Sequence, residues 1–104
     1  MREPELIRRI LLRSSEQGAR LWRNNVGSLQ DKEGRWVKYG VCNPGGSDLL
    51  GFTPYTVAAA DVGRTLAIFT AIEAKTGRLK PTHEQESFLR AVEQAGGIAR
   101  VVRE

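Results

Sequence analysis

The chain has one cysteine, one methionine and one histidine among its 104 residues. Cys42 alone can form no internal disulfide and no cysteine-rich zinc site. It reads as a small buried hydrophobe rather than a nucleophile. His83 has no second histidine or cysteine at ligand spacing, so it reads as a solvated helix-start residue rather than a metal ligand or general base. Aromatic residues make up 7%; Trp22, Trp36 and Tyr39 fit core or interface positions better than base-stacking ones. No apolar run approaches the roughly 18–20 residues that span a bilayer. Met1-Arg2-Glu3-Pro4-Glu5 lacks the apolar core of a secretion signal. Internal repeats and low-complexity tracts are absent. These absences lead us to expect a soluble, cytoplasmic protein with no membrane partner.

The composition is otherwise that of an ordinary globular domain, with 40% hydrophobic and 27% charged residues. Its length suits a single domain over residues 1–104. Sixteen Lys and Arg against twelve Asp and Glu leave a net charge of +4. Twelve of the sixteen cations are arginine, whose planar fork suits phosphate. Residues 1–26 hold six arginines against three glutamates. A basic surface of this kind attracts polyanions, nucleic acid above all.

Leu6, Ile7, Ile10 and Leu11 form one apolar stripe, and the spacing predicts a helix running from Glu5 toward Arg23 for most of that length. Pro4 suits its first turn and Gly18 its end or interruption. Ala19–Arg23 reads as a short extended stretch, residues 28–34 as a polar loop and Trp36–Val41 as a strand. Asn43-Pro44-Gly45-Gly46-Ser47 is a dense turn signal leading into a strand over Asp48–Phe52. Residues 53–64 fit a hairpin, a ragged strand or a loop. Thr65–Lys75 is the clearest strand, apolar enough over its first two-thirds to be covered on both faces. Thr82 can cap a helix that carries Glu84, Gln85 and Glu86 in its first turn and Phe88, Leu89 and Val92 on its apolar stripe. Gly96-Gly97 ends that helix before a strand over Ile98–Val102.

Two pieces carry chemistry: Gly46-Ser47-Asp48, and Glu73-Ala74-Lys75 farther along. Residues two apart in a strand project to one face, so Glu73 and Lys75 point the same way. A pairing of the Asp48 strand beside them would gather two carboxylates and a lysine at one end of an apolar sheet. Two carboxylates can hold Mg²⁺ or Mn²⁺, and the lysine can steady charge on an attacked phosphate. Such an ion acidifies a bound water and polarises the phosphoryl group. That is the apparatus of phosphodiester hydrolysis.

Asp, a spacer and then Glu-x-Lys resembles the signature of the PD-(D/E)XK nuclease superfamily. The wording resembles its virus-type replication-repair nuclease branch, the VRR-NUC domain, in the stand-alone form of bacteria and their phages. The resemblance is carried by Arg23-Asn24-Asn25-Val26-Gly27, Gly46-Ser47-Asp48-Leu49-Leu50-Gly51, Ile72-Glu73-Ala74-Lys75, Gln85 with Phe88, and Gly96-Gly97-Ile98-Ala99-Arg100-Val101-Val102. It covers nearly the whole chain. Two departures accompany it: Ile7 stands where the family often has glutamine, and residues 53–64 are longer than its usual inter-strand turn.

The resemblance implies an α/β restriction-endonuclease-like core, a central mixed sheet flanked by helices in the order α-β-β-β-α-β. It implies catalytic roles for Asp48, Glu73, Lys75 and Gln85. Asp48, Glu73 and the Ala74 carbonyl would be metal ligands, with Glu3 or its rival Glu5 completing the set. Arg8, Arg9, Arg23, Asn24, Asn25, Ser47 and Arg78 are the candidate nucleic-acid contacts. The implied activity is a Mg²⁺- or Mn²⁺-dependent DNA endonuclease, a homodimer acting on branched DNA such as four-way junctions or flaps, in a bacterial or phage-infected cell. A non-catalytic branched-DNA-binding module and an RNA-directed nuclease are the alternatives. Each piece also has an ordinary reading: Asp48 as a turn aspartate, Gln85 as a solvated helix-start residue, Arg8, Arg9 and Arg13 as a solvated helix face, and Asn24-Asn25 as a turn.

Overall fold

A computed structural model describes residues Arg2–Arg103 as a small mixed α/β protein, with two helices and six strands in three two-stranded sheets. The chain divides into two compact units, Met1–Thr53 and Pro54–Glu104. Among the described residues, no helix is long and apolar enough to cross a membrane.

The first unit opens with helix α1 (Glu3–Glu16), which has Pro4 in its first turn, Glu3 and Glu5 beside it, and Arg13 in its last turn. These charges match the helix dipole at both ends. The helix stops seven residues short of Arg23. Gly18, at φ +87°, lets its own N–H reach the Ser15 carbonyl (3.0 Å) while the Ala19 N–H reaches Ser14 (2.9 Å). A left-handed residue is required for that closure, and glycine takes it without strain.

Ile7 is the buried residue of α1, which packs on strand β1 (Arg20–Arg23). Strand β1 pairs antiparallel with β4 (Leu49–Phe52), with Trp22 opposite Leu50 and its ring 5.8 Å from that of Phe52. Strands β2 (Gly27–Gln30) and β3 (Trp36–Tyr39) form an antiparallel hairpin. Part of the stretch predicted as a loop is therefore strand. Asp31 closes the turn: Oδ1 accepts from the Glu33 and Arg35 N–H groups and Oδ2 from Arg35 Nε. Gly34 supplies a positive φ in that turn. Side-chain capping by an aspartate lets so polar a segment turn and pair.

The second unit is built on a β–α–β crossover. Strand β5 (Thr70–Lys75) runs parallel to β6 (Ile98–Arg103), and helix α2 (His83–Gln94) joins them and packs on both. Val92, 1% exposed, is the fully buried side chain at this contact. Gly96, at φ +97°, closes α2 as Gly18 closes α1, with Gly96 N–H on Glu93 and Gly97 N–H on Val92. The next N–H, from Ile98, bonds to the Phe69 carbonyl at 2.9 Å and begins the parallel ladder.

Two sequence expectations for this region need correction. The strand predicted from Thr65 begins only at Thr70, because the ladder offered by β6 starts at Ile98. It is also covered on one face rather than both: Ala71, Glu73 and Lys75 are half-buried, while Ile72 is 60% exposed. Among the described residues, the strands pair as β1 with β4, β2 with β3 and β5 with β6 rather than as one central sheet in the order α-β-β-β-α-β. The segment 53–64, which sequence left open, contains a short 3₁₀ turn (Ala59–Asp61).

Candidate functional site

In the first unit, Asp48 is an exposed residue immediately before β4. Its carbonyl accepts the Asn24 N–H at 2.8 Å, which aligns the end of β1 with the start of β4. Ser47 Oγ donates to the Leu49 carbonyl at 2.9 Å. Asn24 itself has a structural task. Its Nδ2 donates to the carbonyls of Val41 (3.0 Å) and Ser47 (3.1 Å), and its Oδ1 accepts the Val41 N–H (2.9 Å).

Of the two readings of Asn24-Asn25, the turn-making one therefore describes Asn24. Asn43 adds bonds to the carbonyls of Gly27 and Tyr39. Gly46 has no room for a Cβ, which would meet the Val41 carbonyl and the Asn24 amide. Asn25, Arg23, Arg8 and Arg9 are exposed, as are Glu3 and Glu5 in the first turn of α1. Cys42 is exposed at φ 55° in the turn, not buried as the sequence suggested, because most of the turn around it, Val41 included, is itself exposed.

In the second unit, Glu73 and Lys75 share the face of β5 that α2 covers, as alternation requires. Lys75 Nζ lies 3.4 Å from Glu73 Oε1, and the two side chains are 16% and 28% exposed. Gln85 Nε2 donates to the same oxygen at 3.0 Å. Among the described residues, Glu73 Oε2 has no hydrogen bond. Gln85 is held in turn by the helix cap: Thr82 Oγ1 accepts the Gln85 N–H (3.1 Å), and Gln85 Oε1 accepts the Thr82 N–H (2.8 Å). Beside this group lies an open cleft of about 270 Å³ lined by Ala71, Ile72, Glu73, Gln85, Phe88 and Leu89, with Glu84 at its edge. Arg78 is exposed in the turn after β5, and His83 is exposed at the start of α2.

Thr82-x-x-Gln85 is a capping box, and its spacing is legible in the sequence even though its reach to Glu73 is not. A second polar group had no clear sequence signal. Asp61, 8% exposed, accepts from Tyr55 Oη (3.0 Å), the Ala58 N–H (2.8 Å) and Arg64 (2.6 Å). The Arg64 guanidinium also lies 5.7 Å from the Tyr55 ring centre. The Ala58 N–H, the Arg64 cation and the Tyr55 hydroxyl hold the Asp61 carboxyl below its ordinary value against the opposing effect of burial. The knot ties together a loop within residues 55–64.

Among the described residues, no three or more His, Cys, Asp or Glu side chains gather in a metal-holding cluster. The donors the chain does offer, carboxylate and carbonyl oxygens, are of the kind that suits a hard divalent cation. Mg²⁺ is commonly held by one or two carboxylates, with waters and substrate phosphate supplying the rest. Glu73 Oε2 fits that pattern.

Comparison with protein-family models, curated proteins and solved structures finds no match to any of them. The fold and the Glu73 group define a small α/β protein with a braced carboxylate–lysine pair on a parallel strand. A nuclease reading rests on that group and on the motif resemblance.

Proposed function

We propose that this protein hydrolyses phosphodiester bonds in nucleic acid, with branched DNA cut by a homodimer as the specific form of the proposal. The observation that carries it is the arrangement at Glu73: a cation and a neutral amide share one carboxylate oxygen, and the other accepts no hydrogen bond among the described residues. A carboxylate used only as the partner of a lysine has no need of a third residue, Gln85, brought from another element. Glu73 with the Ala74 carbonyl is the proposed protein share of a Mg²⁺ or Mn²⁺ site in the second unit; Asp48 and either Glu3 or Glu5 are ligand candidates supported by the motif resemblance alone. When bound, the ion would supply Lewis acidity and a more acidic water.

The chain's own groups have defined tasks in this scheme. The Lys75 ammonium would offset the negative charge that grows on the phosphorane oxygens. Gln85 holds the Glu73 carboxylate in one orientation. A water oxygen bonds to phosphorus, the bond from phosphorus to one sugar oxygen breaks, and a phosphomonoester and a hydroxyl result. Arg8, Arg9, Arg23 and Arg78 are exposed cations suited to backbone phosphates. Asn25 and Ser47 remain proposed contacts; Asn24 would act by shaping the turn that carries Ser47.

The test is cleavage of a labelled four-way junction, with linear duplex, single-stranded DNA and RNA controls, in Mg²⁺, Mn²⁺ or EDTA. Metal-dependent cutting that is lost in Asp48→Ala, Glu73→Ala and Lys75→Ala is the expected result. Binding without cutting, unchanged in those variants, would replace the proposal with a nucleic-acid-binding module. Paired, symmetric incisions are expected of the dimer.

A further inference from the structure

Gln85 touches both the start of α2 and the carboxylate of β5, and its amide can make those contacts in one orientation only. With Oε1 on the Thr82 N–H and Nε2 on Glu73 Oε1, both contacts are hydrogen bonds. A half-turn of the amide would set oxygen against carboxylate and NH₂ against N–H, replacing two attractions with two repulsions. Glu73 Oε1 already has the Lys75 ammonium beside it, so the carboxylate does not depend on Gln85 for its charge partner. The backbone donor at Thr82, by contrast, is fixed by the chain.

We propose that Thr82 is a positioning residue for the candidate site. Its backbone N–H locks the Gln85 amide with Nε2 toward Glu73, so that the amide donor falls on Oε1, beside the Lys75 ammonium, and Oε2 is kept for the reaction. The catalytic consequence rests on the nuclease reading; the geometric claim does not.

Thr82 sits at φ −69°, the value a proline ring imposes. Thr82→Pro therefore removes the N–H and the hydroxyl cap together at a φ the ring favours, and Thr82→Ala removes the hydroxyl cap while keeping the N–H. Solvent exchange of the Gln85 side-chain NH₂ protons, followed by NMR on the ¹⁵N-labelled protein, separates the two. Relative to Thr82→Ala, Thr82→Pro should speed that exchange about tenfold, the effect of losing one hydrogen bond. In the cleavage assay, kcat of Thr82→Pro should fall on the order of 10²-fold below that of Thr82→Ala, with KM little moved, as expected of a misplaced group. Equal exchange in the two variants would overturn the proposal.

Gln85→Glu tests the same point if Thr82→Pro fails to fold. It keeps an acceptor for the Thr82 N–H and removes the donor to Glu73. Retained protection of the Thr82 amide, with kcat reduced, is expected. Loss of that protection would show that Glu73, not Thr82, anchors residue 85, and would overturn the proposal. Should the native protein cut no nucleic acid, the nuclease reading fails, and the exchange measurements still decide the role of Thr82.

Discussion

Gln85 Nε2 donates to Glu73 Oε1 at 3.0 Å, joining the first turn of α2 to strand β5 across twelve residues of sequence. The same glutamine completes the cap of its own helix. Gln85→Ala removes both contacts and should destabilise the protein by about 1–2 kcal/mol, the combined scale of a cap and a side-chain hydrogen bond. Urea unfolding monitored by circular dichroism measures this. An unchanged midpoint would contradict the geometry.

Asn24 ties the turn between β3 and β4 to the end of β1 through both ends of its amide. Asn24→Ala strands three backbone groups and should cost about 1–3 kcal/mol. The effect should be concentrated in faster amide exchange at Val41. Asn24→Asp keeps the acceptor for that N–H but turns negative oxygen toward two carbonyls, so near neutral pH it should be no better than alanine.

The Asp61 knot makes acid stability predictable in sign. Its carboxyl is held below the ordinary value of 3.8, first by the Ala58 N–H and then by Arg64 and Tyr55. The unfolded chain therefore binds the proton more readily, and stability rises with pH through this window. The contribution is fully present above about pH 4–5 and is lost as pH falls through the depressed folded value. Asp61→Asn should lower stability near neutral pH and flatten its decline on acidification, as read from unfolding curves between pH 7 and pH 2. Added salt should weaken the Arg64 share, because that guanidinium is 55% exposed.

Gly96 and Gly97 should fail differently when replaced by alanine. Gly96→Ala forces a Cβ onto a residue at φ +97°, with open space around it, so its cost is backbone strain of roughly 1 kcal/mol. Gly97→Ala drives a methyl to 2.7 Å from the Phe69 carbonyl and 2.8 Å from Val92. It should cost more, about 1–3 kcal/mol, and loosen the start of the β5–β6 ladder. Thermal unfolding of the two variants side by side checks the order.

Several elements were legible because their signals are local. Thr82 and the acidic first turn marked α2, Gly96-Gly97 marked its end, and alternation placed Glu73 and Lys75 on one face. Gly18 was recognised as a stop or interruption, although the helix reading ran past it toward Arg23. The β2 strand was not legible. Gly27–Gln30 contains one apolar residue besides its glycine, and pairing with Trp36–Tyr39 makes it a strand where its composition does not. Cys42 was misjudged for a related reason: a small apolar side chain goes inside only where the surrounding turn builds an inside.

Of the candidate site, Glu73, Lys75 and Gln85 were named from the sequence, and tertiary structure brings these three together. The solvated helix-start reading of Gln85 gives way to a half-buried amide bonded at both ends. Asp48 was named as well, and what the fold adds there is the bond from Asn24 to its carbonyl.

By itself the sequence determined the helix caps, the glycine stops, the β5 alternation and the basic charge, all set within a few residues or by simple sums. Tertiary structure alone decided which strands pair, that one face of β5 is covered and the other open, that Asn24 is a staple, and that a helix-capping glutamine braces a carboxylate. The physical reason is the distance along the chain. A cap or a turn answers to neighbours three or four residues away, whereas the bonds of Asn24 span 17 and 23 residues and that of Gln85 to Glu73 spans 12. Their partners are delivered by the packing of separate elements, which no local pattern encodes.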